Sequence, residues 1–303
     1  MATPSPATAR VLLLALLSLG AARALNNGLG ARPALGWNSD YCIGCGGKKK
    51  EILRGYQNEA YVREIADFLN SSGLASLGYY YVNMDASWNL PTRDANGDLQ
   101  PDPALWPSGL AATVDYVHSR GLGFGLYGDR GTLDCAKNPG QLGHEAQDAA
   151  FFSLQKIDFF KSDSCYASGN ASVAFAEYGT MRDALNATGR PIWFALCGWE
   201  PFYAPVGHSL GNSWRIGEDT GGGWANVLSN VEAMLSLGGF AGPGGWNDMS
   251  LLRECAAAAP CTPRAHHHPP ESTRCSTSAA PTIPLNLYPM RPPSSPRSVR
   301  PTA

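Results

Sequence analysis

The chain has 303 residues, a net charge of −2 and a charged fraction of 16%. A charge so close to neutral gives no reason to expect binding to nucleic acid or to an anionic membrane surface, and we predict neither partner. Beyond the N-terminal stretch, no segment is both long and apolar enough to suggest a membrane span.

The N-terminus has the pattern of a secretory signal peptide. Arg10 precedes an apolar run, residues 11–19, and Ala22 and Ala24 flank Arg23 as in an A-x-A cleavage site. We therefore predict a signal peptide over residues 1–24. Three glycosylation sequons, at Asn70, Asn170 and Asn186, agree with passage through a secretory lumen. The expected location is secreted, vacuolar or lysosomal.

The composition changes near Leu252. Residues 253–303 contain no glycine, many prolines and few large apolar side chains, and we predict a disordered tail there. The tract His266 to His268 fits a solvated low-complexity run better than a metal site. The remaining part, residues 25–252, is predicted to be one domain.

This domain alternates short apolar runs that end in polar residues with amphipathic stretches of helical spacing. The predicted strands are 35–38, 79–85, 122–129, 157–163, 191–197, 213–219 and 239–241. The predicted helices are 60–70, 109–120, 144–154, 173–185 and 224–237.

Alternation of this kind predicts parallel βαβ units and an α/β fold. Polar residues gathered at the strand ends favour a (β/α)8 TIM barrel, whose active sites lie on that rim. A doubly wound α/β sheet is the alternative, weakened by the lack of a glycine-rich dinucleotide motif or P-loop after any strand.

The stretch from Ile157 to Cys165 is a short apolar strand with charge at its end. Lys161 and Asp163 are two residues apart and so lie on one face of the strand. The pair is either a structural ion pair or an ionised carboxylate directed into a cleft, and we expect Lys161 to keep Asp163 ionised.

Two carboxylates at strand ends suggest glycoside hydrolysis. A retaining glycosidase needs a nucleophile and a general acid/base about 5 Å apart, and Asp163 and Asp219 could be placed in this way. Glu218 could replace Asp219 on spacing alone, but parity with Arg215 favours Asp219. Two carboxyl groups suffice for this chemistry, so no metal or cofactor is expected. The aromatic residues available to stack on a sugar ring are Trp37, Trp88, Tyr127, Trp199 and Trp214.

Several motifs, in order, resemble glycoside hydrolase family 27, the α-galactosidases and α-N-acetylgalactosaminidases, over about residues 33–252. The segments 35–39 (LGWNS) and 125–129 (GLYGD) resemble the family's first and third strands. Segment 160–165 (FKSDSC) resembles the nucleophile signature, and 212–215 (NSWR) with Asp219 and Trp224 resembles the acid/base segment. Segment 241–248 (AGPGGWND) is similar to the seventh strand and its loop.

The resemblance implies a retaining exo-glycosidase acting on terminal α-linked galactose of oligosaccharides or glycoconjugates, with Asp163 as the nucleophile and Asp219 as the acid/base. It implies a disulfide between Cys135 and Cys165 beside the site, which suits an oxidising compartment. The residues it places at the substrate are Trp37, Asp85, Tyr127, Cys135, Lys161 and Arg215.

The chain departs from the family pattern at several positions. Ala86 replaces the second of two aspartates, Gly198 replaces a glutamate that reads the sugar 2-position, and Ser250 replaces another common sugar ligand. With Gly198, either no side chain contacts the sugar 2-substituent or there is room for a larger 2-substituent. N-acetylgalactosamine and β-L-arabinopyranose are therefore the alternative substrates.

The cysteine pairing is open beyond Cys135 with Cys165. Cys42 and Cys45 are close enough to pair with each other, the family partner of Cys42 is Ser87 here, and Cys197 has no obvious partner.

The family's eighth strand and its C-terminal β-domain are not recognisable after Leu252. A seven-stranded barrel would have two unpaired edges, so we expect the isolated chain to be unstable or to aggregate. A catalytically inactive, truncated sugar-binding relic is the second hypothesis.

Overall fold

The computed structural model describes residues 27–40, 57–220 and 224–251, all within the contact unit Met1–Pro260. The signal peptide predicted over residues 1–24 and the tail predicted over 253–303 lie outside these ranges. Cys42 and Cys45 lie outside them as well. In the described part of the chain, no helix is long and apolar enough to cross a membrane.

The described residues form one sheet of seven parallel strands whose spatial order is the chain order. The sheet curls into an incomplete TIM barrel, as predicted. The strands are β1 (Leu35–Asn38), β2 (Tyr79–Asn83), β3 (Gly123–Asp129), β4 (Phe159–Asp163), β5 (Trp193–Leu196), β6 (Ser213–Arg215) and β7 (Trp246–Asp248).

Helices connect most of the strands. They are α1 (Glu59–Ser71), α2 (Leu110–Ser119), α3 (Glu145–Leu154), α4 (Ala171–Ala187), the short α5 (Gly207–Leu210) and α6 (Trp224–Leu235). Asn58 caps the N-terminus of α1, and Asn170 caps α4 by accepting bonds from the second and third residues beyond it. Gly73, Gly121 and Gly189 follow α1, α2 and α4 and have φ of 81°, 72° and 73°, the left-handed conformation that C-terminal glycine caps adopt.

The seventh strand differs from the prediction. Residues Gly238–Phe240 form a 3-10 helix, and β7 begins only at Trp246. The 3-10 segment begins with Gly238 and Gly239, which offer no side chain to pack on a sheet. Trp246 instead pairs with Ser213 of β6 and donates its backbone N–H to the Asn212 carbonyl at 3.0 Å.

Apolar side chains pack on both faces of the sheet. The large core cluster lies between the sheet and its helices and contains Val82, Phe124 and Phe160. A smaller cluster inside the barrel is formed by Tyr81, Trp193 and Ala195. Strands covered on both faces read as nearly continuous apolar runs, and this is why the runs were recognisable in the sequence.

The two edges of the sheet do not pair with each other. A cavity of about 440 Å³ lies between β1 and β7 and is also lined by α6 residues such as Val231. None of the residues of α6 is buried, and Trp224 and Leu235 are 71% and 78% exposed. The open edges expected from the sequence are therefore present in the described part of the chain.

Residues preceding β1 reach the far side of the sheet. Asn27 donates to the Ile192 carbonyl at 2.8 Å and to Asn212 Oδ1 at 3.0 Å. The carbonyl of Gly30 accepts the Gly244 N–H and the Trp246 indole N–H, each at 2.8 Å. This segment, residues 27–30, links the beginning of the sheet to its end.

Candidate active site

Polar side chains converge at the carboxyl ends of the middle strands. Tyr127 of β3 lies opposite Lys161 of β4, and Asp129 lies opposite Asp163 in the parallel register. Asp85 follows β2 and contacts Lys161. Alternate residues of neighbouring parallel strands face the same way, so the strand geometry alone places these groups together.

Lys161 is the central cation of this cluster. Its Nζ lies 2.8 Å from Asp85 Oδ2 and 4.0 Å from Asp163 Oδ2. It also lies 5.0 Å from the centre of the Tyr127 ring. The prediction that Lys161 and Asp163 share a face is confirmed, but the closer partner of the lysine is Asp85, which Asn38 also contacts at 3.2 Å.

Asp163 is 5% exposed, and its carboxylate has several partners. Oδ1 accepts the Ser164 backbone N–H at 3.1 Å, and Oδ2 lies 3.3 Å from Cys135 Sγ. Burial raises the pKa of Asp163, and the attraction of Lys161 only partly offsets it. Lys161 thus acts in the expected direction on the pKa of Asp163, although desolvation is the larger effect, and the expectation that Lys161 keeps this carboxyl ionised stays a prediction.

The disulfide implied by the family resemblance is present. Cys135 and Cys165 are bonded, with their Cα atoms 5.1 Å apart. Cys135 lies in the loop after β3 and Cys165 in the loop after β4, so the bond joins the two loops that flank Asp163. Of the cysteines in the described ranges, Cys197 remains a free, buried thiol.

Asp129 has a larger part in the site than the sequence suggested. Its Oδ1 accepts the Gly131 N–H at 2.7 Å and its Oδ2 accepts the Cys165 N–H at 2.7 Å, so it connects the loops after β3 and β4. Burial raises the pKa of Asp129 to about 7 despite these two bonds. Its position at a strand end was the available signal, but nothing distinguished it from a rim carboxylate.

Asp219 lies four residues beyond the end of β6. Its Oδ1 is 3.0 Å from Arg215 Nη2, and its side chain is 56% exposed. Because β6 ends at Arg215, the parity that favoured Asp219 over Glu218 does not extend to either residue, and both are exposed. Arg215 also contacts Cys197 Sγ at 3.5 Å, and the Cys197 thiol in turn lowers the pKa of Asp163, which burial raises. Asp163 and Asp219 are thus joined through two intervening side chains.

The aromatic residues divide into two groups. Trp37 packs against Tyr61 of α1, with ring centroids 5.6 Å apart, and belongs to the large core cluster. Trp88 and Trp214 are at most 1% exposed and cannot present a ring face to a sugar. Tyr127 lies in the cluster around Lys161. Trp199, two residues after Cys197 in the sequence, is half-buried. Trp37 also lines the cavity between β1 and β7, and its contact with the substrate stays a prediction.

The space beside Gly198 is occupied. A Cβ at this position would overlap the ring of Tyr203, which is 1% exposed. The missing side chain at position 198 therefore does not open a pocket in that direction. Ser250 Oγ accepts the Thr220 N–H at 3.1 Å and so supports the loop after β6.

A metal ion is not favoured by the donor atoms of the cluster. Asp129, Cys135, Asp163 and Cys165 are the potential metal ligands that lie together in the described residues. Both sulfurs are consumed in the disulfide, and both Asp129 oxygens accept backbone N–H groups. Thiolates bind metals, and a disulfide does not supply them.

A curled sheet of parallel strands with acidic and basic groups on its carboxyl rim defines a TIM-barrel protein with a polar site, the architecture of many glycoside hydrolases. The family model described as alpha galactosidase A matches residues 32–254. The chain belongs to this α-galactosidase family, glycoside hydrolase family 27.

Individual relatives agree. The chain is 42% identical to alpha-galactosidase 3 of Arabidopsis thaliana over 231 residues, covering 75% of this chain and 50% of that protein. It is 43% identical to the alpha-galactosidase of Cyamopsis tetragonoloba over 232 residues, covering 75% and 53%. The structure of the Saccharomyces cerevisiae alpha-galactosidase with raffinose matches with a TM-score of 0.65 and 29% identity, covering 75% and 53%. The chain spans about half the length of the relatives it matches.

Proposed function

We propose that this protein is a retaining exo-glycosidase that releases terminal α-linked galactose, with Asp163 as the nucleophile and Asp219 as the acid/base. The observation that carries the proposal is the placement of Asp163. It is a buried carboxylate on the barrel rim, with Lys161 and Tyr127 beside it and a disulfide behind it. The structure of the yeast relative with raffinose supports a galactosyl substrate.

In the first step, an Asp163 oxygen attacks the anomeric carbon while the bond to the leaving oxygen breaks. Asp219 gives its proton to the leaving oxygen, and the product is a galactosyl ester on Asp163. In the second step, Asp219 takes a proton from water, the water oxygen attacks the anomeric carbon, and Asp163 leaves as a carboxylate. The outcome is net retention at the anomeric centre.

Neighbouring groups would hold the sugar. Lys161 and Asp85 form an ion pair that offers both donors and acceptors to hydroxyl groups, at 2.8 Å from each other. Arg215 fixes the position of Asp219 through their 3.0 Å contact. Charged groups prearranged in a site of low exposure stabilise developing charge more strongly than the same groups in water.

The neighbourhood of Gly198 favours galactose over N-acetylgalactosamine. Tyr203 fills the direction in which a side chain at position 198 would point, so an N-acetyl group gains no space there. Ala86, 9% exposed, offers no hydrogen bond from its side chain, and this keeps β-L-arabinopyranose as the second candidate because that sugar lacks one hydroxymethyl group.

The test is hydrolysis of an activated aryl α-galactoside by the purified chain. We expect burst release of the phenol in the wild type and none in Asp163→Ala, with partial recovery in that variant when azide is supplied as an external nucleophile. Asp158→Asn is the matched control, because Asp158 pairs with His118 at 2.6 Å near the start of β4. Equal background rates in wild type and Asp163→Ala would leave an inactive sugar-binding relic as the better description.

Substrate choice is tested separately. The wild type is expected to hydrolyse the aryl α-galactoside faster than the matching α-N-acetylgalactosaminide and β-L-arabinopyranoside. A preference for the N-acetyl substrate would contradict the inference from Tyr203.

A further inference from the structure

Arg130 is a buried cation that the proposed reaction does not use. It follows the last residue of β3 and is 5% exposed. Its guanidinium forms an ion pair with Glu177 of α4 and donates to the Ser168 carbonyl at 2.6 Å and to Ser164 Oγ at 2.9 Å. A buried charge is costly unless it is paired and hydrogen-bonded, and here Glu177 supplies the opposite charge.

Ser164 joins this cation to the nucleophile. Its backbone N–H donates to Asp163 Oδ1 at 3.1 Å, while its Oγ contacts Arg130 and lies 3.0 Å from the Tyr178 hydroxyl. The same residue therefore touches the carboxylate with its main chain and the Arg130 network with its side chain.

The hydrogen bonds run in one consistent direction. Arg130 Nε donates to Ser164 Oγ, which leaves the Ser164 hydroxyl hydrogen to be donated to Tyr178. The Tyr178 hydroxyl then donates to the Ser162 carbonyl at 3.1 Å. Ser162 precedes Asp163 in β4, so the chain of bonds fixes the residues on both sides of the nucleophile.

The main chain of Arg130 makes a further contact with Asp163. Its N–H donates to the Asp163 carbonyl at 3.0 Å. The side chain also lies over the Tyr178 ring, with 5.4 Å between the guanidinium carbon and the ring centre. These contacts leave little freedom for the turn that begins at Asp163.

We propose that Arg130 is a positioning residue, which orients the Asp163 carboxylate by fixing Ser164 and the turn after β4. This inference rests on the proposed role of Asp163 for its catalytic consequence. Its structural part, the ordering of residues 163–168, stands apart from that role.

The kinetic test compares Arg130→Met, Arg130→Lys and Ser164→Ala with the wild type. Arg130→Met is expected to lower kcat about 10- to 100-fold with little change in KM, because small displacements of a reacting group have effects of that size. The acid limb of the pH profile should move to higher pH, because Asp163 Oδ1 loses an ordered donor. Arg130→Lys should recover part of the rate, and Arg130→Met combined with Ser164→Ala should be no worse than the poorer single variant.

Arg93→Met is the matched control. Arg93 is a partly buried arginine, with a side chain that is 11% exposed. It pairs with Asp148 through two contacts of 2.6 and 2.7 Å, but it lies between the β2–α2 loop and α3. Its loss should reduce stability without moving the acid limb.

Amide hydrogen exchange tests the positioning without any activity. In Arg130→Met, exchange over residues 163–168 should become at least about tenfold faster, whereas Arg93→Met should leave that segment unchanged. An inactive wild type would overturn the proposed function, and the exchange data would still decide the role of Arg130. Unchanged exchange over 163–168, or a slower enzyme whose acid limb stays in place, overturns the proposal. If Arg130→Met does not fold, Ser164→Ala is judged by the same two readouts.

Discussion

The middle of the sheet and its edges differ in how firmly they hold a carboxylate. Asp163, in the middle, is 5% exposed and is surrounded by Lys161, Ser164 and the Cys135 sulfur. Asp219, near the β6–β7 edge, has a side chain that is 56% exposed and rests on Arg215. The helix that follows Asp219, α6, contains no buried residue.

The two members of the proposed catalytic pair therefore lie in environments of different packing density. The nucleophile must attack along one line and benefits from a rigid setting, which the middle strands provide. The acid/base serves first the leaving group and then water, and it is placed in the less tightly packed part of the barrel. The position of Asp219 therefore depends on what surrounds the β7 edge, whereas that of Asp163 does not.

The largest expected contrast is between Asp163→Asn and Asp219→Asn. Removing the nucleophile should lower kcat by about 10⁶-fold, the size found when a catalytic nucleophile is removed. Asp219→Asn should cost about 10²- to 10⁴-fold with a poor leaving group and much less in the first step with an activated one. Steady-state and burst kinetics on both substrates check this, and equal losses with both leaving groups would contradict the assignment of Asp219.

The second contrast concerns the disulfide that joins the middle loops. Cys135 and Cys165 are separated by 30 residues, and closing a loop of that length stabilises the fold by about 3–4 kcal/mol in the chain-entropy account. Replacing both cysteines by serine should lower the free energy of unfolding by that amount in a urea titration. Reductant should destabilise the wild type and leave the double variant unaffected; an equal response of both would show that another bond is being reduced.

The third contrast is the pH dependence of stability. The pKa of Asp129 is about 7 in the fold, against 3.8 for an ordinary aspartate, so the folded state binds more protons than the unfolded state between these values. Stability should therefore fall as pH rises from about 4 to 7, by about 1.4 kcal/mol per unit at most, and level off above 7.

Asp129→Asn should remove this slope while costing stability at every pH, because an amide cannot accept both backbone N–H groups. Urea titrations at several pH values measure the free energy of unfolding and so its slope with pH. Asp183→Asn serves as the control, since the Asp183 side chain is 65% exposed. Parallel curves for wild type and Asp129→Asn would show that Asp129 is ionised throughout the range.

The smallest effect is expected at the edge. Leu235 of α6 is 78% exposed, and Leu235→Lys should change the free energy of unfolding by no more than about 0.5 kcal/mol while reducing aggregation. Leu126 of β3, 1% exposed, is the comparison, because Leu126→Ala should cost about 2–5 kcal/mol. A large destabilisation by Leu235→Lys would mean that α6 is packed in solution. Light scattering and urea titration together separate the two effects.

Residue periodicity predicted much of the centre of the fold. Alternation placed Lys161 and Asp163 on one face, and the apolar runs located β1 to β6 with strand ends that differ by only a few residues. Strands that are buried on both faces can be recognised in a sequence because nearly every residue must be apolar. The family motifs added the pairing of Cys135 with Cys165.

Periodicity failed where tertiary contacts decide the outcome. The short run 239–241 resembled a strand in the sequence, but β7 formed where Trp246 could reach β6. The importance of Arg130 and Asp129 could not be read from the sequence, because their partners lie 34 to 47 residues away in the chain.

The segment of residues 27–30 has a consequence for the order of folding. Consecutive strands pair with their immediate neighbours, so each βα unit can dock on the one before it at a modest entropic cost. The bonds from Asn27 to Asn212 and from Trp246 to Gly30 instead span 185 and 216 residues. Since the cost of closing a loop grows with its length, these bonds are expected to form last and to open first. The contacts of residues 27–30 with the far side of the sheet are thus expected to form only after the middle strands have assembled the polar cluster around Asp163.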